Sequence, residues 1–494
     1  MKSPIFPFRA KHFRRSITVA VVCASLVVHA QQIGGLPDLG ESSRAELSPQ
    51  TERRIGESIM NQIRLREPSY VDDHEVNDYL AKLGRRLVEA SGDPTGRFHF
   101  FAIRDNSVNA FAMFGGYIGI NTGTILAAQT ESELAAVMAH EIAHVTQNHL
   151  ARQMAKEKQN TIPALIAMAI GILAARSNTS VAAGTIASAQ AGLVQSQLAY
   201  TRDFEREADR VGFQSMESAR FDVNGMSDFF DRLQKATHLY ENNAPVYFRS
   251  HPLTVERMSD MQNRAQHAPY RQVVSSLDFY LVRAKLRVQA LPPKDAVVEF
   301  ERLLQEKKYS SEIATRYGLA LALLRANDIK GAKRVSADLK PQRGDSPMLA
   351  GLTASIDEQS GDFKEAQEIY RQALLRFPQS KSLVYGYADS LYAAKEYRQA
   401  LAFLEKQLIS DQSDFVLYGL QAKNYAALGQ RVQQCRAQAE FYFLQGQLGP
   451  AIEQLQFAQQ EKNGDFYELS AVDARLRELR KLQIEEEKQG GFGG

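Results

Sequence analysis

Cysteine is almost missing from this chain of 494 residues, which contains only Cys23 and Cys435. Cys23 lies in an N-terminal segment that we expect to be removed, so Cys435 would be the one thiol of the mature protein. A single thiol excludes an intrachain disulfide, and stability must then come from the hydrophobic core and from any bound metal. A mature chain of about 460 residues is long enough for two or three domains.

An excess of charge of either sign is also lacking, since 59 Lys and Arg side chains stand against 57 Asp and Glu side chains. Loss of residues 1–30 removes five basic side chains and no acidic one, which moves the formal charge from +2 to −3. A chain this close to neutrality has no basic excess to attract a nucleic acid, so we expect no nucleic-acid partner.

The N-terminal apolar run, Ile17–Val28, has twelve residues, whereas a membrane-spanning helix needs about twenty. Basic residues precede this run, and Val28-His29-Ala30 follows with small residues suited to cleavage. The arrangement is typical of a secretory signal peptide, so residues 1–30 are predicted to direct secretion. A retained N-terminal anchor is the alternative. Residues 31–48 are rich in Gly, Ser and Pro and are predicted to be a linker.

Histidine is scarce as well, with 10 residues, yet two of them stand four apart in His140-Glu141-Ile142-Ala143-His144. Apolar residues recur there at helical spacing without Gly or Pro, so one buried helix is predicted over Glu131–Ala155. At about 100° per residue, His140 and His144 share a face and can bind one metal ion. The motif favours zinc, and Glu141 can take a proton from the water that attacks a carbonyl. A surface helix with two solvated histidines is the alternative.

A third protein ligand must come from elsewhere in the chain. The extended motif with Gly and His at the third and sixth positions after His144 is excluded, because Gln147 and Leu150 stand there. His149 lies about half a turn from His140 on the predicted helix and is interpreted as solvated.

A second helix, Arg202–Gly212, supplies candidate carboxylates. Glu205 and Asp209 are four residues apart and share a helix face, so one can bind the metal while the other accepts the free N–H of a ligand histidine. Glu207 points to the opposite side and is predicted to be solvated. An ordinary charged helix flanked by arginines is the alternative.

These motifs together resemble peptidase family M48, in which His-Glu-x-x-His is followed about sixty residues later by Glu-x-x-x-Asp. Asn109-Ala110-Phe111-Ala112 with Gly115-Gly116 is similar to the stretch before the active helix of that family. Ser250-His251-Pro252 with Arg257 is similar to its late Ser/Thr-His-Pro segment. The resemblance implies an α+β zincin-like metallopeptidase domain over residues 49–270, mostly helical with a small sheet.

The resemblance also implies roles for individual residues. The implied metal ligands, for one zinc ion per chain, are His140, His144 and Glu205. The implied catalytic residues are Glu141, as general base, and Asp209, which orients a ligand histidine.

Substrate binding is implied for Asn109, Ala110 and Phe111, with Arg257 nearby. Two strands are predicted around them, Phe98–Ile103 and Gly116–Ile120. The family implies that the second is an edge strand, which pairs with an extended substrate backbone.

Two late residues keep alternative interpretations. His251 is either a loop histidine or a regulatory fourth metal ligand, which would displace the catalytic water and hold the enzyme latent. Arg257 pairs either with a carboxylate of the site or with a surface group in an ordinary salt bridge.

The other parts of this domain are predicted to be helical. Helices are expected at Pro49–Ile63 and Asp72–Ala90. Residues 162–198 are predicted to form two helices beside the active helix. This interpretation is favoured because the apolar stretch of fourteen residues there is short for spanning a bilayer. The alternative is a membrane-facing lid with peripheral membrane association, since membrane-embedded members of the family have spanning helices at this place.

The C-terminal region has a composition rich in Ala, Leu, Tyr and Gln. Ala332, Ala366 and Ala400 recur at 34-residue steps, a period typical of tetratricopeptide repeats. Residues 275–482 are therefore predicted to form an all-α solenoid, which either binds a peptide or helix on its concave face or only supports the peptidase. Residues 483–494 are predicted to be a flexible tail.

For an exported member of this family with repeats, the resemblance implies a periplasmic zinc endopeptidase that acts on unfolded or stalled outer-membrane proteins and degrades misassembled ones. The repeats would contact the β-barrel assembly machinery, and a chaperone-like role would accompany proteolysis. Two other hypotheses are a latched or vestigial protease that works as an adaptor, and a peptidase acting on peptidoglycan peptides or lipoproteins.

Overall fold

A computed structural model describes residues 48–92, 98–157, 202–237, 247, 251–269, 271–461 and 464–488. The predicted signal peptide, nearly all of the predicted linker and the predicted helical pair at 162–198 lie outside these residues. Within them, a mainly helical N-terminal unit with one small sheet is followed by a row of paired helices. The predicted fold class, an α+β domain followed by an all-α repeat region, is confirmed.

The N-terminal unit begins with two long helices and continues with the sheet. Its helices are α1 (Pro49–Arg66), α2 (His74–Ala90), α3 (Thr122–Ala127), α4 (Glu131–Thr146), α5 (His149–Glu157), α6 (Arg202–Ser218), α7 (Asn224–Thr237) and α8 (Val255–His267). Its strands are β1 (His99–Ile103), β2 (Ala110–Ala112) and β3 (Tyr117–Asn121). In the part of the chain that the structure describes, no helix is both long enough and apolar enough to span a bilayer.

The sheet has the strand order β1–β3–β2, with β1 parallel and β2 antiparallel to β3. β3 is therefore the central strand, and the prediction of an edge strand at Gly116–Ile120 was wrong. β2 is the edge strand on one side of β3. It has only three residues, so a periodic pattern in the sequence cannot reveal it. Gly115 turns the chain between the two strands with a φ of +73°, which glycine adopts without strain.

α4 crosses the middle of the N-terminal unit and packs against α2, α6, α7 and β2. It begins after Thr130, whose hydroxyl accepts a hydrogen bond from the N–H of Glu133. It ends at Thr146, so the single helix predicted to reach Ala155 was wrong. Asn148 adopts a φ of +52°, a conformation that asparagine tolerates better than most residues, and α5 starts anew after it.

α6 approaches α4 very closely at Gly212. A Cβ atom on Gly212 would stand 3.2 Å from the backbone of Ala139 and from the backbone nitrogen of His140. Any larger residue would therefore push the two helices apart. Since Glu205 and Asp209 lie on the turns of α6 just before Gly212, this close contact brings their carboxylates to the histidines of α4.

The repeat region consists of helices that pair along the chain. They are α9 (Leu277–Ala290), α10 (Pro293–Gln305), α11 (Glu312–Arg325), α12 (Ile329–Ala337), α13 (Pro347–Gln359), α14 (Phe363–Arg376), α15 (Lys381–Ala393), α16 (Tyr397–Ser410), α17 (Phe415–Ala427), α18 (Arg431–Leu444), α19 (Leu448–Gln459) and α20 (Phe466–Lys488). α20 continues past residue 482, so the predicted tail is helical at its start.

The periodic alanines lie on the second helix of successive pairs. Ala332, Ala366 and Ala400 are all fully buried, where a small side chain lets adjacent helices come close. In the next pair the buried position falls to Cys435, 35 residues after Ala400. One additional residue therefore explains why the 34-residue series stops.

The first helices of several repeat pairs face α2 of the N-terminal unit. Lys285 of α9 pairs with Asp73 at 2.7 Å and with Glu75 at 2.6 Å. Tyr385 of α15 packs edge-on against His74, with 4.6 Å between ring centroids. Along this stretch, the face that a solenoid would offer to a peptide is covered by a helix of the same chain.

Candidate metal centre

Four side chains from three segments converge in the middle of the N-terminal unit. His140 and His144 come from α4, Glu205 from α6 and His251 from the segment before α8, and one donor atom of each lies within 4.8 Å of all the others. Nε2 of His140 is 3.0 Å from Nε2 of His144 and 3.3 Å from Nδ1 of His251. Oxygens of Glu205 lie 3.4 Å and 3.5 Å from the two Nε2 atoms of α4. All four side chains are buried.

These distances fit a tetrahedral zinc ion. Ligand atoms at about 2.0–2.1 Å from such an ion stand about 3.3 Å from one another. Imidazole nitrogens and a carboxylate oxygen are also the ligand types that zinc prefers in proteins. Two imidazole nitrogens 3.0 Å apart need a cation or a shared proton between them. The structure thus brings together the three predicted ligands and His251, the possible fourth ligand.

Asp209 and Arg257 lie directly behind two of these ligands. Oδ1 of Asp209 is 3.0 Å from Nδ1 of His140, a distance at which the carboxylate can orient the ring. Arg257 donates to both oxygens of Asp209, at 2.6 Å and 2.8 Å, and its Nη1 lies 2.8 Å from Glu205. Of the two alternatives for Arg257, the structure shows pairing with carboxylates of the site.

The two histidines of α4 differ in their affinity for protons. Burial lowers the pKa of His144 to about 3, which keeps its ring neutral, as metal ligation requires. Burial also opposes a charge on His140, but the carboxylates of Asp209 and Glu205 raise its pKa to about 10. A metal ion that binds to His140 therefore displaces a proton.

The two glutamates of the site are shifted in opposite directions. Burial opposes the ionisation of Glu205, yet His251 and the hydrogen bonds from the ligand histidines hold its pKa well below the usual range. Burial raises the pKa of Glu141, although His251 and His140 act against this shift. A raised pKa suits a carboxylate that must both accept and return a proton near neutral pH.

His251 lies between the ligand cluster and Glu141. Its Nε2 is 3.4 Å from Oε1 of Glu141, while its Nδ1 faces the other ligands. The ring of Tyr247 stacks on it with 4.7 Å between centroids. Arg257 donates to the carbonyl of Pro252 at 2.7 Å, which fixes the adjacent backbone. With an exposed fraction of 2%, His251 is not an ordinary loop histidine.

His149 and Glu207 were predicted to be solvated; this was wrong for His149, whereas the side chain of Glu207 is 32% exposed. His149 is fully buried, with its Nδ1 2.9 Å from Nδ1 of His144 and its Nε2 3.0 Å from Glu207. Arg152 donates to the same carboxylate at 2.9 Å. The helix break at Asn148 removes the half-turn offset that a continuous helix would impose. A carboxylate thus reaches a ligand histidine through a second imidazole, which fixes the orientation of the ligand.

β2 passes beside α4 next to the general base. The backbone N–H of Ala112 helps to lower the pKa of Glu141, so this strand ends near the carboxylate. Asn109 precedes the strand, and Ala110 and Phe111 form it. Asn109 is fully buried, and among the described residues its side-chain amide has no hydrogen-bond partner. Because β2 lies at an edge of the sheet, it can pair with an extended peptide.

Comparison with known proteins agrees with this geometry. The family model for Peptidase family M48 matches residues 74–265, and the model for the Tetratricopeptide repeat matches residues 358–423. The beta-barrel assembly-enhancing protease of Yersinia pestis is 30% identical, over 90% of this chain and 92% of the relative. The protein of that name from Escherichia coli K12 is 29% identical, over 96% of this chain and 98% of the relative.

A Vibrio cholerae protein that provisionally carries the same name is 31% identical, over 94% of this chain and 96% of the relative. Three relatives therefore align with both the peptidase unit and the repeats. The chain is a metallopeptidase with tetratricopeptide repeats and belongs to peptidase family M48, in the group of the beta-barrel assembly-enhancing proteases.

Proposed function

We propose that this metallopeptidase is a zinc-dependent endopeptidase of the periplasm, which assists the assembly of outer-membrane β-barrel proteins and degrades those that fail to assemble. The donor set of three imidazoles and one carboxylate supports zinc. The edge strand beside Glu141 supports an extended polypeptide as substrate. The names of relatives that align with most of the chain support the substrate class, and the signal-like residues 1–30 support export.

The side chains of the site divide the chemistry among them. A bound zinc ion would polarise the scissile carbonyl and lower the pKa of water. Glu141 accepts the proton of the attacking water and returns it to the leaving amine. β2 holds the substrate backbone extended through main-chain hydrogen bonds. Asp209 and His149 keep the two ligand histidines of α4 in position through their Nδ1 atoms.

The convergence of His140, His144 and Glu205 within ligand distance carries this proposal. We would measure the zinc content of the mature protein and of a Glu141→Gln variant, and their cleavage of an unfolded outer-membrane protein. Both proteins should hold one zinc ion per chain, while cleavage by the variant should fall by about 10²–10⁴-fold. A wild-type protein without stoichiometric zinc, or a variant that still cleaves, would contradict the proposal.

His251 is proposed as a regulatory fourth ligand that holds the enzyme latent. Its Nδ1 lies among the ligand atoms, and its Nε2 lies 3.4 Å from Glu141, where the carboxylate has to meet a water molecule. Replacement of His251 by Ala should leave the zinc content unchanged and raise the rate of proteolysis. An unchanged or lower rate would show that His251 is not a latch.

The same contact favours a second candidate function, in which His251 stays on the metal permanently and the chain works as an adaptor. A Glu141→Gln variant separates the two functions in cells that have an assembly defect. If proteolysis matters, the variant should fail to restore assembly fully. Full restoration by the variant would favour the adaptor.

Repeat helices that α2 leaves uncovered are proposed to contact the β-barrel assembly machinery. Ile409 on α16 is 80% exposed and is a suitable place for a photo-crosslinking residue. Crosslinks to the machinery are expected from Ile409 and not from His74, which packs against Tyr385. Equal yields at the two positions would contradict this docking surface.

A further inference from the structure

A cavity of about 490 Å³ lies where the N-terminal unit meets the first repeats. Its wall is formed by α9, the end of α10, the following loop and the first turn of α11, together with Leu126 of α3. Among the described residues, every charged side chain in this wall is basic. These side chains are Arg283, Arg287, Lys307 and Lys308. The cavity shares no residue with the metal centre.

In the part of the chain that the structure describes, three of these cations have no carboxylate within ion-pair distance. Lys308 pairs with Glu306 at 2.9 Å, but among the described residues Arg283, Arg287 and Lys307 form no ion pair. Elsewhere in the repeats, arginines such as Arg302 are paired with carboxylates on their own helix. The cations of the cavity are therefore not an ordinary salt-bridged surface.

Arg283 is the least satisfied member of this group. Its Nη2 donates to the carbonyl of Leu126 at 3.1 Å, whereas its Nε is buried and has no acceptor within the described part of the chain. Burial and the neighbouring Arg287 both lower the pKa of Arg283. A buried donor without an acceptor costs free energy, and an anion in the cavity would recover it.

The start of α11 adds further positive potential. Ser311 caps this helix by accepting from the N–H of Ala314, so its hydroxyl hydrogen remains available to a ligand. The helix N-terminus itself favours negative charge. The nearby carboxylate of Glu312 is already bound by Arg316 at 2.8 Å and by Tyr309 at 3.2 Å.

We propose that this cavity binds the phosphate group of a phosphorylated ligand through Arg283, Arg287 and Lys307. A phosphate dianion would neutralise these three cations more fully than a carboxylate, which carries one negative charge. Two neighbouring guanidinium groups also suit the geometry of phosphate oxygens. The volume leaves room for an organic portion beyond the phosphate. An adjoining recess shares Leu126 and Arg287 with the cavity. It adds apolar surface from Leu291 and Val298 and two carboxylates, Asp295 and Glu299, which lie outside the wall of the cavity itself.

A soluble phosphorylated compound and a phospholipid headgroup offer the same phosphate chemistry, so both are tested on the full mature protein. Calorimetric titration with glycerol 3-phosphate at low salt probes the first. Flotation with vesicles of phosphatidylcholine, with and without phosphatidic acid, probes the second, because the headgroup of phosphatidic acid is also a phosphomonoester. The test variant combines Arg287→Gln with Lys307→Gln, both exposed positions. The control combines Lys330→Gln with Arg334→Gln, exposed cations of α12 outside the cavity.

Saturable binding of either probe should weaken at least about tenfold in the test variant and stay within about twofold in the control. Binding of glycerol 3-phosphate would assign a soluble ligand, and binding restricted to vesicles that contain phosphatidic acid would assign a lipid headgroup. No saturable binding of either probe would overturn the proposal. An equal loss in both variants would do the same, because it would show a nonspecific effect of surface charge.

Discussion

The metal centre and the interface between α2 and the repeats both bury charged side chains, but they satisfy them differently. At the interface, Lys285 lies between Asp73 and Glu75, and each charge has a partner within the chain. In the metal centre, three imidazoles and Glu205 direct their donor atoms at a common point. At the interface, oppositely charged side chains neutralise each other and hold two units together. In the metal centre, the donor atoms converge on one point and can therefore bind a metal ion.

Of the variants that test this difference between the two regions, Arg257→Met is expected to lower the stability of the protein most. Loss of the guanidinium leaves the buried carboxylates of Asp209 and Glu205 without their cation, which should lower the free energy of unfolding by about 3–5 kcal/mol. Added zinc should recover part of the loss, because it binds only the folded protein. Urea unfolding with and without zinc measures both quantities.

A matched control for this variant is Arg210→Met on α6. Arg210 is about half exposed and pairs with Asp260 at 3.4 Å, so its loss should cost at most about 1 kcal/mol. If both variants lost the same stability, burial of the Arg257 network would not be the cause.

A smaller loss is expected when the interface is broken by Lys285→Met. Asp73 and Glu75 then lose the cation that binds both, and the free energy of unfolding should fall by about 2–3 kcal/mol. In contrast with Arg257→Met, the stabilisation by zinc should be the same as in the wild type. Unfolding titrations with and without zinc test this, and a reduced response to zinc would contradict the separation of the two regions.

The break between α4 and α5 at Asn148, which brings His149 to His144, predicts an effect on the affinity for zinc. His149→Ala removes the imidazole that joins His144 to Glu207, and zinc affinity should fall by about 10–100-fold. His149→Gln can still accept or donate one hydrogen bond and should lose less. Competition with a chelator measures both variants, and His267→Ala on an exposed part of α8 is the control. Unchanged affinity in His149→Ala would show that His149 does not position the ligand.

The smallest effect concerns Asp78, which accepts a hydrogen bond from the backbone N–H of Lys381 at 3.1 Å. Burial raises the pKa of Asp78 from 3.8 to about 6, so the folded chain holds this proton more tightly than the unfolded chain. The contribution of Asp78 to stability is therefore greatest below pH 3.8 and is lost as the pH rises to about 6.

Asp78→Asn should consequently stabilise the protein at pH 7, by about 1 kcal/mol at this partly exposed position. The difference from the wild type should vanish near pH 4, where both side chains are neutral. Urea titrations at the two pH values measure it. A variant that is less stable at pH 7 would show that the hydrogen bond from Lys381 outweighs the cost of burial.

Spacing along helices was sufficient to find most of the site. His140 and His144 share a face of α4, and Glu205 and Asp209 share a face of α6, because residues four apart are neighbours on any helix. The contact that joins the two helices at Gly212 has no signature in a single sequence. Its existence followed from the family resemblance and not from the pattern of residues.

The positioning network around His149 could not be predicted for a local reason. Neither Gln147 nor Asn148 is a glycine or a proline, so the apolar pattern favours a continuous helix through this point. Asparagine at a positive φ overrides that pattern. A third histidine so close to the motif was the one available signal, and the assumed helix placed it on the wrong side.

The interface with the repeats lay beyond sequence analysis because it depends on distant pairing. Lys285 and Asp73 are 212 positions apart, and each taken alone is typical of a solvated charge. The all-α region itself was recognisable, since its buried alanines repeat regularly. Its orientation against α2 depends on shapes that form only after both units fold.

Coverage of α2 by the repeats also determines how this chain can be recombined with its relatives. A chimaera joined near residue 270 would bring a foreign row of helices against His74, Asp78 and their neighbours, without the matching tyrosine and lysine. Transplanting the α2 segment together with the repeats preserves those matches. The unit of exchange in this protein is therefore discontinuous in sequence, with one helix from the N-terminal half travelling with the C-terminal half.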